Sequence, residues 1–457
     1  MYTRANVTVR SVQAAADARG IAQRAQAVSI DLGEVTVEKI LINGGKPLHG
    51  DVSISGAKNA AVAVLAAAML SEEVCTIDNL PYIDDVLVMA RLLEYMGARV
   101  ELTRQGKITI DASRLQNKIP PEDMVSRMRA SSYLMGVLLA RYGEAFVPPP
   151  GGCSIGARPV DQHLKGFRAM GAEIEEGNLL HLRADHLKGA EIHIEASVGA
   201  TINLIIAASK AEGVTTIYGC AKEPHVVDTA NFLNNMGANI KGAGTDVIRI
   251  HGVKRLGGCN YTIIPDQIET GTWMIIAAGT QSDITIRNCI PMHMEAVSAK
   301  LREAGAEVTE GDDWIRVRAF DRPFPVNVKT MVYPGFPTDL QQPFSAMMTR
   351  AKGTSIITET IFEQRYRHLE EMRRMGARVR VEDRLAFIDG VERLYGRRVE
   401  ATDLRAGAAL VLAGLMAEGT TVISGVRYID RGYEGIEQKL SGLGADIQRV
   451  KEDCEIL

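Results

Sequence analysis

The 457-residue chain lacks the features that mark membrane, disulfide-rich and zinc-binding proteins. Its longest strongly apolar run, from Ala60 to Leu70, has 11 residues, well short of the roughly 20 that a helix needs to span a bilayer. Its six cysteines are scattered and form no Cys-x-x-Cys pair, which argues against a zinc site and a disulfide framework. We therefore expect a protein of the reducing cytoplasm, with no metal and no membrane contact.

The sequence also lacks an excess of charge of one sign. Its 52 Lys and Arg residues and 56 Asp and Glu residues leave a net charge of -4, which gives no general attraction to nucleic acid. Walker, GxGxxG and HExxH motifs are absent, so nucleotide hydrolysis and dinucleotide chemistry have no support. The length alone predicts about two or three domains.

What the sequence does contain is an internal repeat. A Gly-Ala pair recurs after an amphipathic stretch and before an alternating one, as in MGARVE and MGAEIE, with a spacing of 66 to 74 residues. A glycine at this place can adopt the left-handed conformation that ends a helix. The pattern predicts six subdomains of about 70 residues in two groups of three. The repeat glycines are Gly97, Gly171, Gly237, Gly305, Gly376 and Gly444.

A second helix is predicted about 40 residues before each repeat glycine. These segments are rich in alanine and nearly uncharged, as in NAAVAVLAAAML and RAGAALVLAGLMA. Because they are apolar on all sides, we expect them to be buried. Most are followed by a short β-branched stretch such as ITIRN, which is typical of a strand. The fold class is therefore α/β.

Charged residues stand at the start of several of these buried helices. Lys58, Arg129 and Arg405 oppose the positive end of the helix dipole, so we expect either a bound anion or solvated side chains there. Glu269 and Asp339 have a simpler interpretation, because carboxylates cap helices well. The pattern predicts a cleft where helix N-termini converge on a phosphate or carboxylate compound.

One loop combines a thiol with a cation. Residues 148–159, PPPGGCSIGARP, can form neither a helix nor a central strand, because proline lacks a donor and glycine is permissive. Cys153 and Arg158 therefore lie together on a shaped or mobile loop, where reactive side chains are commonly found.

These segments resemble those of the UDP-N-acetylglucosamine enolpyruvyl transferases. The resemblance runs from about Val37 to the C-terminus and includes SGAKNAA, RMRASSYLMG, PGGCSIGARPVD, PDQIETGT, GFPTDLQ, ATDLRAGAALVLAG and YIDRGYE. The sister family that makes enolpyruvylshikimate phosphate would share the repeat but would not need the cysteine loop. A non-catalytic nucleotide-sugar-binding relative is a further alternative. The intact residues that argue against it are Lys58, Cys153, Asp339 and Arg431.

The resemblance implies an inside-out α/β barrel in two domains, built from the six repeats. The chain would cross between domains near Lys58 and Asp266. Residues 37–57 plus 266–457 would form the first lobe, and residues 58–265 would form the second lobe, with the Cys153 loop. Residues 1–36 precede the resemblance, and we expect them to be a disordered extension.

The resemblance also implies a reaction, the first committed step of peptidoglycan synthesis. The 3'-hydroxyl of UDP-N-acetylglucosamine adds to C2 of phosphoenolpyruvate while C3 takes a proton, and the tetrahedral adduct then loses phosphate. No cofactor is needed, the partners are the two small-molecule substrates, and the oligomeric state stays open. By resemblance Asp339 is the base, and Cys153 is the proton donor or acts in product release.

The resemblance assigns further residues to the two substrates. Lys58, Arg158 and Arg431 would bind phosphoenolpyruvate, with Arg129 and Arg405 close by. Pro159 and Gln162 would flank the uracil ring. The nucleotide-sugar contacts would be Asn59, Arg158, Pro159, Val160, Asp161, Gln162, Ser197, Val198, Asp339 and Ile361.

Fosfomycin, an epoxide inhibitor of the resembled family, should alkylate Cys153 alone. A nearby cation and free backbone N–H groups lower the pKa of a thiol and favour the reactive thiolate. Intact-protein mass spectrometry should show one adduct, located on the peptide that contains Cys153. The variant Cys153→Asp should keep an acid there and form no adduct, and labelling of another cysteine would contradict the assignment.

Overall fold

The computed structural model describes residues 37–151, 156 and 159–452. Its α-helices are α1 Lys58–Ala68, α2 Asp84–Tyr95, α3 Glu122–Val125, α4 Tyr133–Tyr142, α5 Asp161–Ala169, α6 Val198–Ala208, α7 Pro224–Asn235, α8 Gln267–Gly279, α9 Glu295–Glu303, α10 Gln341–Met348, α11 Arg367–Arg374, α12 Leu404–Met416, α13 Arg427–Asp430 and α14 Ile436–Gly442. Short 3-10 helices lie at Arg129–Ser132, Pro291–Met294 and Thr338–Leu340.

The strands are mostly short, as the sequence pattern predicted. They are β1 Val37–Asn43, β2 His49–Ser53, β3 Cys75–Asp78, β4 Arg99–Leu102, β5 Ile108–Asp111, β6 Glu144–Val147, β7 Glu173–Glu176, β8 Leu180–Arg183, β9 Glu191–His193, β10 Val214–Tyr218, β11 Asn239–Lys241, β12 Val247–His251, β13 Asn260–Thr262, β14 Asp283–Arg287, β15 Glu307–Glu310, β16 Trp314–Arg318, β17 Val328–Lys329, β18 Thr354–Thr358, β19 Arg378–Glu382, β20 Leu385–Asp389, β21 Leu394–Tyr395, β22 Arg398–Glu400, β23 Ala417–Glu418, β24 Thr420–Ser424 and β25 Asp446–Glu452.

The repeat glycines end one helix in each repeat. All six have a positive φ, between 93° and 101°, a conformation that costs an L-residue about 1–2 kcal/mol but costs glycine little. Each glycine follows the C-cap of α2, α5, α7, α9, α11 or α14 and precedes the next strand. The predicted order of helix, glycine and strand is confirmed.

The alanine-rich helices α1, α4, α6, α8, α10 and α12 form the centre of the fold. Every residue from Ala60 to Ala68 is buried, which confirms the prediction from the apolar sequence. Close approach is visible where α4 packs on α6, because a Cβ on Gly136 would lie 2.3 Å from Asn203 Oδ1. In the described residues no helix is long and apolar enough to cross a membrane.

The described strands form sheets around these helices. Strand β1 illustrates how distant parts of the chain pair, because Ile40 lies opposite both Ile423 of β24 and Arg449 of β25. The strand orders are β13-β3-β5-β4, β6-β8-β7 and β11-β12-β10-β9 around α1, α4 and α6, and β15-β16-β14-β2, β17-β18-β20-β19, β22-β24-β1-β25 and β21-β23 around α8, α10 and α12.

The buried apolar residues separate into two cores. One contains residues from Ala57 to Ile263, and the other contains residues 40–54 and 268–447. The connecting segments lie side by side, since Ala57 N donates to Ile264 O at 2.8 Å and Asp266 N donates to Ser55 O at 2.9 Å. The exact lobe boundaries stay a prediction, and residues 1–36 lie outside the described residues.

Candidate active site

The N-termini of two buried helices, one from each core, meet at Asp266. Its Oδ1 accepts hydrogen bonds from the backbone N of Ile268 at 2.7 Å and of Glu269 at 3.0 Å, which caps α8. Its Oδ2 accepts from the backbone N of Lys58 at 3.0 Å, at the start of α1. The expected capping role of Glu269 is therefore wrong, because Asp266 occupies that position.

Lys58 and Arg431 converge on a buried carboxylate, Asp85, which is 4% exposed. Lys58 Nζ lies 2.9 Å from Asp85 Oδ2, while Arg431 donates from Nε to Oδ1 at 2.8 Å and from Nη2 to Oδ2 at 3.3 Å. Burial alone would raise the pKa of Asp85, but the attraction of Lys58 and Arg431 outweighs it and lowers that pKa. Asn59 is adjacent, since its Oδ1 accepts from Lys58 Nζ at 3.5 Å.

Carboxylates of the protein offset the cations at these helix starts. Asp403 caps α12 by accepting from the backbone N of Arg405 and of Ala406, each at 3.0 Å. Asp266 likewise accepts from the backbone N of Lys58 at the start of α1. Protein carboxylates therefore lie at both helix starts and offset part of the unfavourable charge of Lys58 and Arg405, while the expected anion at these cations stays a prediction.

Asp339 lies between two arginines. Its Oδ1 accepts from Arg365 Nη2 at 2.6 Å, and its Oδ2 accepts from Arg405 Nη2 at 3.0 Å and Nε at 3.2 Å. Burial would raise the pKa of Asp339, but the attraction of Arg405 and Arg365 lowers it far below the usual range. The expected capping role of Asp339 is wrong, because both carboxylate oxygens bind these guanidinium groups.

Ile361 is fixed beside Asp339 by a buried glutamate, Glu359. Glu359 Oε1 accepts from the backbone N of Ile361 at 2.8 Å, and Oε2 accepts from Thr338 Oγ1 at 2.8 Å. Arg365 Nη1 in turn donates to Thr338 Oγ1 at 2.6 Å. Glu359 therefore links Ile361 to Thr338, the residue that precedes Asp339.

The predicted nucleotide-sugar residues of the other core gather at the starts of α5 and α6, which pack on each other. Gln162 donates to Asp161 Oδ2 at 2.9 Å and accepts from the backbone N of Glu195 at 3.2 Å. Ser197 Oγ accepts from the backbone N of Ala200 at 3.3 Å and so caps α6. Val160 and Val198 stand at the starts of α5 and α6.

Arg129 joins the two ends of the cysteine loop. It donates from Nη1 to Pro150 O and from Nη2 to Pro159 O, each at 3.1 Å. Between them, Gly156 lies against the other core, because a Cβ there would be 2.4 Å from Glu363 Oε2. The loop ends are thus held in one core while Gly156 contacts the other.

Sequence reasoning found part of this arrangement. Cys153 and Arg158 lie outside the described residues. Asp85 and Arg365 were missed, although each binds predicted site residues. Asp85 is the second residue of the pair Asp84-Asp85 at the start of α2, and acidic residues there are typical of an ordinary helix start. Arg365 lies in a polar stretch without a distinguishing pattern.

Chemically, the arrangement combines cations for an anionic ligand with carboxylates for proton transfer. Lys58 and Arg431 are 14% and 16% exposed at their side chains, so a ligand can reach them from solvent. Within the described residues there is no group of three His, Cys, Asp or Glu side chains suited to a metal ion.

Comparison with known proteins identifies the family. Residues 42–440 match the family described as EPSP synthase (3-phosphoshikimate 1-carboxyvinyltransferase). UDP-N-acetylglucosamine 1-carboxyvinyltransferase 3 of Caldanaerobacter subterraneus subsp. tengcongensis is 56% identical over 91% of this chain and 100% of its own length. UDP-N-acetylglucosamine 1-carboxyvinyltransferase 2 of Bacillus anthracis is 51% identical over 92% of this chain and 99% of its own length.

Solved structures show the same fold. The enolpyruvyl transferase NikO from Streptomyces tendae has a TM-score of 0.81 and 27% identity over 91% of this chain and 100% of its own. EPSP synthase from Acinetobacter baumannii has a TM-score of 0.71 and 19% identity, also over 91% of this chain and 100% of its own. The predicted inside-out α/β barrel is confirmed.

Fold and site thus define an enzyme of the EPSP synthase family. Within that family, the chain belongs to the UDP-N-acetylglucosamine 1-carboxyvinyltransferases. The resemblance drawn from the sequence is confirmed, and the identities above favour this group over the shikimate-pathway alternative.

The variant Asp85→Asn should lose about 3 kcal/mol of unfolding free energy at pH 7, because it leaves two partly buried cations without their carboxylate. Since folding lowers the pKa of Asp85, its contribution is fully present above the unfolded-state pKa of about 3.9 and is lost as the pH falls through the folded pKa. Urea unfolding from pH 7 downward should show the difference from wild type narrowing below about pH 4.

The neighbouring variant Asp84→Asn is the control. Burial, then the nearby charges of Asp430 and Asp85, raise the pKa of Asp84, so an amide there should not destabilise the protein at pH 7. Equal losses for both variants, or a loss at Asp85 that does not change with pH, would contradict the ion-pair account.

Proposed function

We propose that the chain transfers the enolpyruvyl group of phosphoenolpyruvate to the 3'-hydroxyl of UDP-N-acetylglucosamine and releases phosphate, in the cytoplasm. The observation that carries the proposal is the pair of carboxylates, Asp85 and Asp339, that hold Lys58, Arg431 and Arg405 in place. The names of relatives more than half identical to this chain support the choice of substrates.

Phosphoenolpyruvate carries a phosphate and a carboxylate, so its site needs several cations. Lys58 and Arg431 are held by one carboxylate and are partly open to solvent. Charge-assisted hydrogen bonds from such fixed donors are strong and need little rearrangement when charge develops in the transition state. We assign the phosphate to Lys58 and Arg431, with Arg405, Arg129 and Arg158 as further ligands.

Asp339 is the proposed base for the sugar hydroxyl. While Arg365 and Arg405 both bind it, its lowered pKa makes it a weak proton acceptor. Arg405 is also a proposed ligand of phosphoenolpyruvate, and movement of that guanidinium toward the second anion would raise the pKa of Asp339. Binding of phosphoenolpyruvate would then prepare the base, which is 28% exposed at its side chain.

The nucleotide sugar would lie between the two cores. On one side are the starts of α5 and α6, with Gln162 and Ser197, and on the other is the segment with Ile361. The contact of Gly156 with Glu363 supports a loop that reaches across this space. We assign Cys153, on that loop, to proton transfer or product release.

The reaction itself is tested by phosphate release. The protein should release phosphate from phosphoenolpyruvate when UDP-N-acetylglucosamine is present and not when shikimate 3-phosphate replaces it. Release with shikimate 3-phosphate alone would identify the sister reaction instead. Tight binding of UDP-N-acetylglucosamine without any release would favour the non-catalytic alternative.

The variant Asp339→Asn should lower kcat by about 10²-fold or more while the KM for UDP-N-acetylglucosamine changes little, because the amide keeps the shape but cannot take the proton. Steady-state kinetics with both substrates separates the two effects. A raised KM for phosphoenolpyruvate with near-normal kcat would instead mean that Asp339 only positions Arg365 and Arg405.

The variants Lys58→Ala and Arg431→Ala should raise the KM for phosphoenolpyruvate by 10-fold or more, with a much smaller change for UDP-N-acetylglucosamine, since each removes a charge-assisted contact to the smaller anion. Arg316→Ala is the control, because Arg316 pairs with Asp283 on the exposed surface, 2.7 Å from its Oδ2. Equal losses for both substrates, or a similar effect of Arg316→Ala, would contradict the assignment.

A further inference from the structure

Two cysteines lie side by side at the edge of the sheet β13-β3-β5-β4. Strands β13 and β3 pair in parallel with Asn260 opposite Thr76, so the preceding residues, Cys259 and Cys75, are neighbours in the same register. Thr76 N donates to Cys259 O at 2.8 Å, which holds the two strands together at this point. Because paired residues of adjacent strands point to the same face, both thiols lie on one side of the sheet.

The two thiols are free, with Cys75 fully buried and Cys259 half-buried. Each thiol is the largest influence on the titration of the other, because Cys259 lowers the pKa of Cys75 and Cys75 raises the pKa of Cys259. Neighbouring strands lie about 4.8 Å apart, within the Cα separation of about 4.4–6.8 Å that a disulfide spans.

We propose that Cys75 and Cys259 form a dithiol modification site, which peroxide converts to a disulfide and which a trivalent arsenical bridges. The site is separate from the proposed reaction and does not depend on it. Cys259 is partly exposed and directly precedes β13, the edge strand of the sheet, so a small reagent would meet Cys259 before the buried Cys75.

The oxidation needs no reactant besides the two thiols and one molecule of hydrogen peroxide. One thiolate attacks a peroxide oxygen, so that an S–O bond forms, the O–O bond breaks, and the departing hydroxide takes the thiol proton to become water. The second sulfur then attacks the sulfenic sulfur, forming the S–S bond and releasing a second water. Two thiols are oxidised and one peroxide is reduced. The arsenical arm involves no redox change, since the arsenic oxygen leaves as water with both thiol protons.

The position of the pair gives the modification a structural consequence. Strand β13 is followed directly by Ile263 and Ile264, which both accept hydrogen bonds. Ile263 O accepts from Asn79 Nδ2 at 2.8 Å, and Ile264 O accepts from the backbone N of Ala57. A disulfide would therefore fasten the strand that leads directly into the segment connecting the two cores. It would also close a loop that contains most of one core.

Other described cysteines provide matched controls. Cys220 and Cys289 are buried, and burial raises the pKa of each to about 11. Their thiols donate to the backbone O of Ile217 at 3.2 Å and of Ile286 at 3.5 Å. Serine at either position should leave the dithiol chemistry unchanged.

The test treats the reduced full chain with hydrogen peroxide, alkylates the remaining thiols after denaturation, and maps the peptides by mass spectrometry. We expect a disulfide-linked peptide pair containing Cys75 and Cys259, at the mass of a single chain on a non-reducing gel, in wild type and in Cys220→Ser. Alkylation of both cysteines after oxidation, or linkage of either to another cysteine, would overturn the proposal.

The second arm uses phenylarsine oxide on the native chain. Wild type and Cys220→Ser should bind one equivalent that a small dithiol removes, whereas Cys75→Ser and Cys259→Ser should lose it. Retention of the arsenical by either of these variants would overturn the dithiol site. The peptide map of the wild-type protein decides the matter even if Cys75→Ser does not fold.

Discussion

The structure depends on buried carboxylates that each hold more than one partner. Asp85 binds Lys58 and Arg431, which belong to different cores of the chain. Asp266 caps α1 and α8, again one helix from each core. Such ionised groups are costly to bury unless their hydrogen bonds are satisfied. Satisfying them across the connection between the cores fixes the helix starts, and with them the cations, in one arrangement.

This arrangement also sets the net charge that a ligand meets. His225 lies near Asp266, Asp339 and Lys58, and burial lowers its pKa to about 4, so it is neutral at pH 7. The local field is therefore decided by the carboxylates and the cations alone. Because neighbouring cations lower the pKa of Asp85 and of Asp339, these two carboxylates stay ionised across the neutral pH range.

The sequence predicted the structure best where a residue type occupies its position for a single physical reason. Gly237 ends its helix because a positive φ suits glycine, and Ala63 is buried because its helix is apolar on every side. It was least informative about pairing, since Asp85 and Arg431 are 346 residues apart. Charge and spacing predicted Lys58 as a site residue, but no local pattern distinguishes a carboxylate that caps a helix from one that binds two cations.

The same limit explains why the sequence left the role of Asp339 open. Its type and position suggested either a cap or a base, and the structure adds that Arg365 and Arg405 both bind it. A carboxylate held by two cations cannot accept a proton readily until one of them is drawn away. Arg405 also lies against the ring of Tyr433, 5.3 Å from its centroid, so its displacement is resisted by packing as well as by charge. Under the proposed assignment, an anion that competes for Arg405 would have to supply that free energy, and this would couple occupation of the cationic cleft to the basicity of Asp339.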